Sequence, residues 1–332
     1  VSVIEPNEVA AMRRAVALGD AVRQVTPPNP WVGAVLIAAD GSTRFEGATE
    51  RPGSRHAEIV ALDAAGGEAS GATLVVTLEP CSHTGRTPPC VDAIIEAGIA
   101  RVVIGVEDPD DKVQGQGIAR LRAAGVAVEV GVGAAEVVES LGAYLHHRRT
   151  GRPRVVLKLA ATLDGRTAAA DGSSKWITSD AARRDVGLLR AACDAIIVGA
   201  GTVRADDPEL TARTDPEALR QPLRVVLGDI PEGARVLPAE SMGGPLEGIL
   251  DALAARGVLQ VLIEGGAQVA HDFVAAGLVD RYVLYLAPAV MGGDDGAPML
   301  KGPGASSIDQ IARGTFVSVT QIGEDLRVEV ET

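Results

Sequence analysis

Thr73-Leu-Val-Val-Thr-Leu78, then Val91-Asp-Ala-Ile-Ile-Glu-Ala97 stopped by Gly98, then Arg101-Val-Val-Ile-Gly-Val106 decide the fold class of the first half. Two short apolar runs separated by a helical segment read as strand, helix, strand, and strands joined through a helix run parallel with helices covering the sheet. Working outward, Glu8–Ala21 reads as a helix, Trp31–Ala38 as a strand ended by the turn pair Asp40-Gly41, and His56–Ala65 as a helix. Downstream, a helix over Gly117–Ala124, a strand over Val126–Val130 and a helix over Ala134–His147 continue the alternation. The first half is therefore α/β with a mostly parallel sheet. The polar run His146–Pro153, carrying Gly151 and Pro153, reads as a linker and divides the chain into domains 1–150 and 151–332.

A second alternation follows: strand Arg154–Ala161, helix Asp180–Ala192, strands Ala195–Gly199 and Leu223–Leu227, helix Leu246–Arg256, strand Leu259–Ile263 and helix Gln268–Ala276. Antiparallel-looking strands at Arg281–Ala287, Thr315–Gln321 and Leu326–Val330 close it into a mixed α/β sheet. A length of 332 residues suits two such domains. Lys and Arg number 31 against 44 Asp and Glu, a net charge of -13 that leaves neither half with a basic excess. With aromatics at 2%, both the charge and the stacking rings that nucleic acid requires are missing. The longest charge-free apolar candidate, Tyr282–Gly293, is short of the ~18 residues of a spanning helix and is broken by Pro288. No signal-peptide pattern opens the sequence, so a cytoplasmic location is expected. Three cysteines make no disulfide framework, and in a reducing compartment Cys81 and Cys90 read as metal-binding or catalytic.

His56-Ala-Glu58 stands at a helix start, Pro80-Cys81 at a strand end and Pro89-Cys90 at the next helix start. One imidazole and two thiolates are the three protein ligands of a catalytic zinc that keeps its fourth position open, and helix N-termini favour thiolates. Glu58, near the metal but unligated, can move the proton of an activated water to a leaving amine. The pattern is that of zinc nucleobase deaminases, H-x-E with P-C-x-x-C, except that eight residues separate Cys81 from Cys90. A four-ligand structural site would need His83. Cys193 reads as a core residue.

Val76-Thr-Leu-Glu-Pro-Cys-Ser-His-Thr-Gly-Arg-Thr-Pro-Pro-Cys90, with Asn29-Pro30-Trp-Val-Gly33 and His56-Ala-Glu58, resembles the bifunctional deaminase/reductase family of riboflavin biosynthesis. The resemblance implies an N-terminal cytidine-deaminase-like αβα domain, zinc held by His56, Cys81 and Cys90, Glu58 as proton shuttle, and Asn29 and His83 on the pyrimidine. In the second half, Gly199-Ala-Gly201 and Glu264-Gly265-Gly266 before helices suit phosphates, but neither is a complete G-x-G-x-x-G, so a Rossmann domain is not supported.

The resemblance extends there through Lys158–Ala168, Gly172–Ser179, Ala195–Arg213 and Ile263–Ala267. It implies a dihydrofolate-reductase-like domain that uses NADPH to reduce the ribosyl group of the deaminated ribotide to ribityl. Ala160, Trp176, Thr202, Asp206 and Gly266 would line the NADPH site, and Ser174, Arg190, Leu210, Arg213 and Glu264 would face the substrate. Arg190 and Arg213 are expected to grip its phosphate, and Lys158, Asp206 and Glu264 to handle protons. Val236–Leu246 is short where the family has another strand, and Gly228-Asp229 replaces a usual Asp-Ser. A homo-oligomer through the second domain is also implied. Two rival expectations are a deaminase with a non-catalytic second half, lacking NADPH binding, and a zinc-stabilised nucleotide sensor that releases no ammonia.

Overall fold

Thr73–Leu78 is the central strand of a five-stranded sheet, buried along nearly its whole length because helices cover both its faces. In the computed structural model, which describes residues 4–85, 87–214 and 216–332, the chain divides into two compact units, one ending at Gly151 and the other beginning at Arg152.

The first unit runs α1 (Pro6–Val22), β1 (Gly33–Ile37), β2 (Arg44–Ala48), α2 (Ala57–Ala65), β3 (Thr73–Leu78), α3 (Cys90–Glu96), β4 (Arg101–Val106), α4 (Gln116–Ala123), β5 (Ala127–Val130) and α5 (Ala134–Thr150). Its sheet order is β2-β1-β3-β4-β5, with β3, β4 and β5 parallel and β1 antiparallel to both neighbours. The parallel expectation therefore holds for the three strands linked through helices. β2 escapes the sequence reading because Arg-Phe-Glu-Gly-Ala carries no apolar run; it forms as the hairpin partner of β1 across the Asp40-Gly41 turn. Gly47 lets it approach α2 closely, since a Cβ there would lie 2.1 Å from the Ala57 carbonyl oxygen. The expected linker is helical through Thr150: its His and Arg residues sit favourably at a helix C-terminus, and Gly151 ends the helix at φ 76.

The second unit runs β6 (Arg154–Thr162), β7 (Arg166–Ala168), α6 (Asp180–Ala191), β8 (Ala195–Gly199), α7 (Ala200–Asp206), β9 (Leu223–Leu227), β10 (Glu240–Met242), α8 (Leu246–Ala254), β11 (Gln260–Ile263), α9 (Ala267–Ala275), β12 (Arg281–Ala287), β13 (Ala297–Pro298), β14 (Thr315–Ile322) and β15 (Asp325–Glu331). Eight of these strands form a sheet in the order β10-β9-β8-β11-β6-β12-β15-β14. One apolar cluster is centred on Leu157, Ile263 and Phe273, and another on Ile196, Val198 and Tyr285. β12 corrects the expectation of antiparallel closure: it runs parallel to β6, and only β15, antiparallel to both β12 and β14, reverses direction. Its alternating burial reports one covered face and carries no information about strand direction. The short Val236–Leu246 segment does hold a strand, β10, parallel to β9.

Candidate active sites

Three chain segments bring His56, Cys81 and Cys90 together. His56 is the N-cap of α2, Cys81 follows β3, and Cys90 opens α3. Their ligand atoms lie within 4.8 Å of one another. His56 Nδ1 is 3.2 Å from Cys90 Sγ and 3.6 Å from Cys81 Sγ. Tetrahedral zinc with ordinary bond lengths puts nitrogen and sulfur ligands about 3.5 Å apart, so the donor set fits zinc. The Cys90 N–H donates to Cys81 Sγ at 3.4 Å, an N-terminal amide facing a thiolate. The Cys81 thiol is held down at about 4, first by the hydrogen bond from the Cys90 thiol and then by His56 and the Cys90 N–H, with burial opposing, while the Cys90 thiol is pushed up by that same thiol–thiol bond and by burial.

Glu58 lies in the first turn of α2, 4% exposed, and stands outside the ligand cluster. Burial first, then the neighbouring Cys81, lifts its carboxyl to about 7, with His56 opposing. His83 is exposed and also outside the cluster, so no fourth protein ligand closes it among the described residues. Asn29 is half-buried in the turn after α1, where its N–H donates to Thr26 O at 2.9 Å; its side chain makes no hydrogen bond among the described residues.

In the second unit, a cleft of about 410 Å³ is lined by Lys158, Ala160, Ser174, Trp176, Arg190, Thr202, Asp206, Leu210, Arg213, Glu264 and Gly266, the residues expected there to bind cofactor or substrate or to handle protons; Gly199 and Gly201 are not on its lining. It opens beside the carboxyl ends of parallel β8 and β11, where α7 and α9 begin, the usual ligand position in such sheets. Lys158 and Ala160 share one face of β6, while Leu157, Leu159 and Ala161 are buried. Glu264, just past β11, accepts from Arg190 Nε at 2.6 Å and Nη2 at 3.0 Å, with Lys158 Nζ 3.9 Å away. Burial alone would raise its carboxyl; Arg190 and then Lys158 hold it below the ordinary value. Burial lowers the Lys158 ammonium against the pull of Glu264.

Arg190 Nη1 also donates to Thr211 O at 3.1 Å, so this guanidinium is committed to the protein and is not the open phosphate fork expected of it. Arg213, by contrast, is largely exposed, 3.8 Å from Glu209. Trp176 is exposed under the Arg183 guanidinium, 4.3 Å from the ring centroid. Asp206, exposed, ends α7, and Asp207 caps the helix. Leu210 is buried at φ 51, a left-handed conformation that costs a bulky residue on the order of 1 kcal/mol and clusters at ligand sites. A Cβ on Gly266 would lie 3.1 Å from Thr202 Oγ1, so the α9 start and α7 meet across a glycine.

Residues 153–328 match the RibD C-terminal domain, and residues 6–106 match the cytidine and deoxycytidylate deaminase zinc-binding region. The riboflavin biosynthesis protein RibD of Mycobacterium tuberculosis is 47% identical over 95% of both chains, and that of Escherichia coli 38% identical over 95% of this chain and 96% of its own. The chain belongs to the RibD family. Acinetobacter baumannii RibD superposes with a TM-score of 0.88 at 35% identity, covering 98% of each chain. A Thermotoga maritima structure described as a diaminohydroxyphosphoribosylaminopyrimidine deaminase/5-amino-6-(5-phosphoribosylamino)uracil reductase gives 0.87 at 35% with the same coverage. Like other RibD chains, this one is a bifunctional deaminase and reductase of riboflavin biosynthesis acting on a pyrimidine substrate, with a zinc-binding deaminase domain and an NADPH-dependent reductase domain. No helix among the described residues is long and apolar enough to cross a membrane.

Sequence reasoning passed over one feature of this RibD chain. Glu79, 3% exposed, accepts from the N–H groups of Gly115 at 3.0 Å, Ile118 at 3.1 Å and Asp108 at 3.3 Å, anchoring the start of α4 two residues before Cys81. A Cβ on Gly117 would lie 2.1 Å from Pro80 O, so α4 lies backbone against backbone under the Cys81 segment. The signal was present as an acidic residue inside an apolar strand end, where a buried carboxylate needs donors. Gly228, φ 101, adopts a backbone that an Asp would strain, and its carbonyl accepts from Ser241 Oγ at 2.8 Å.

Proposed function

We propose that residues 1–150 deaminate 2,5-diamino-6-(5-phosphoribosylamino)pyrimidin-4-one and that residues 151–332 reduce the ribosyl group of the product to ribityl. The observation that carries this reading is the three-ligand cluster of His56, Cys81 and Cys90, with a buried Glu58 two residues past His56 in the first turn of α2 and outside it. Bound zinc supplies the Lewis acidity that makes water nucleophilic near neutral pH. Glu58 takes a proton from that water as it adds to the amino-bearing carbon and delivers it to the departing amine, so water enters and ammonia leaves. Asn29 and His83 hold the pyrimidine.

In the second unit NADPH supplies hydride to C1′ of the opened sugar. Ala160, Trp176, Thr202, Asp206 and Gly266 bind that cofactor, with the α9 N-terminus suited to its phosphates. Ser174, Leu210, Arg213 and Glu264 face the substrate. Arg190 orients Glu264, and the phosphate falls to Arg213 and the neighbouring exposed Lys175, both on the cleft lining. Lys158, Asp206 and Glu264 place the proton that accompanies reduction at the nitrogen of the opened sugar. The same reading puts the enzyme in the cytoplasm as a homo-oligomer.

The test is product analysis by mass spectrometry after incubation with the diaminopyrimidine ribotide. The expected product has an amino group replaced by oxygen without NADPH and gains two hydrogens with it. Recovery of unchanged ribotide from zinc-loaded protein would overturn the reading.

A further inference from the structure

The eight residues between Cys81 and Cys90 set this chain apart from a two-residue cysteine spacing, and His83, Thr84, Gly85 and Pro88 among them are exposed. Thr87 turns inward. A tight turn in which the Gly85 N–H donates to Thr87 O at 3.2 Å presents it, half-buried, with Oγ1 3.5 Å from His56 Nε2. The other ring nitrogen, Nδ1, faces both cysteine sulfurs. An imidazole that offers its Nδ1 lone pair to a metal carries its hydrogen on Nε2, which leaves Thr87 Oγ1 as the acceptor. A metal-bound imidazole is held in tautomer and ring orientation by such an acceptor at its far nitrogen.

We propose that Thr87 is a positioning residue that orients His56 for the metal, so that the expanded inter-cysteine loop helps build the zinc site itself. This rests on the reading of His56, Cys81 and Cys90 as a metal centre. Hydrogen-bond partners at this remove typically change metal affinity by about 10–100-fold when removed.

The experiment uses the full chain and two variants: Thr87→Val, which keeps the shape and removes the oxygen, and Thr87→Ser, which keeps the oxygen. Zinc affinity is read by competition with a chromogenic chelator, and ligand geometry by the visible absorption of the cobalt-substituted protein. Thr87→Val is expected to bind zinc about 10–100-fold more weakly with shifted cobalt bands. Thr87→Ser should stay at the parent's affinity and spectrum. All three should give the same far-ultraviolet circular dichroism spectrum, which shows that the first unit is folded, and should reduce supplied deaminated intermediate at the same rate, which shows that the second is. Parent-like affinity and spectrum in Thr87→Val, or equal weakening in Thr87→Ser, overturns the proposal and leaves the metal centre standing. Failure of the parent chain itself to bind zinc overturns both.

Discussion

The two halves keep their chemistry in different ways. In the first, His56, Cys81 and Cys90 come from three segments and meet around a place that a metal ion completes. In the second, Arg190, Glu264 and Lys158 already satisfy one another within the cleft. A metal centre concentrates function in a few atoms whose residue types and spacing stand out in a sequence. A self-paired cleft spreads it over residues that are individually ordinary, and its charges are structural as well as functional.

The sharpest way to break this contrast is Glu58→Ala, which should lower deamination on the order of 10⁴-fold. Zinc content should be unchanged, and reduction of supplied intermediate should proceed at the parent rate; metal analysis of the purified variant separates proton transfer from ligation. Lys158→Ala should do the reverse, lowering NADPH oxidation on the order of 10³-fold with ammonia release intact. If either substitution silences both activities, the halves are not chemically separate.

Arg190→Gln probes the self-paired cleft. It leaves the buried Glu264 without its two hydrogen-bonded partner nitrogens, with only the weaker pull of Lys158 and Arg213, and removing one partner of a buried pair costs about 3 kcal/mol or more. Urea unfolding should show this loss in the second unit, with ammonia release unaffected. The smallest effect concerns Asp108 in the first unit, whose carboxyl is raised to about 6 by burial, against the Asp110 N–H and the Tyr144 hydroxyl. The folded unit retains this proton where the unfolded chain has released it, above about pH 4. The carboxyl's favourable contribution is therefore full at low pH and lost as pH rises through 6. Asp108→Asn should flatten that slope and gain on the order of 1 kcal/mol over the parent at pH 7, read from melting curves between pH 4 and pH 8.

The contrast also explains what could be read without coordinates. Buried strands such as Thr73–Leu78 and Ala195–Gly199 carry continuous apolar runs, and helices such as Asp180–Ala191 carry a strong period, so their signals are local. β2 and β10 were not legible because pairing to a neighbour forms them; their own composition does not. The direction of β12 was not legible because it depends on which strand the α9 connection reaches across to, here β6. The zinc ligands were legible from residue type and spacing, whereas the commitment of Arg190 to Glu264 depends on α6 lying beside the end of β11, a contact between residues 74 positions apart. Glu79 and Thr87 stayed hidden for the same reason: their roles are defined by backbone amides and a ring nitrogen brought in from elsewhere.

One cuvette tests the central claim, that two independent sites in one chain act in sequence. Ammonia release and NADPH oxidation are followed together on the diaminopyrimidine ribotide, with and without a zinc chelator, and again with deaminated intermediate supplied. The account predicts both signals on the ribotide. It predicts that chelation abolishes ammonia release there while NADPH oxidation on supplied intermediate continues unchanged. Ammonia without NADPH oxidation, or a chelator that also stops NADPH oxidation on supplied intermediate, would contradict it.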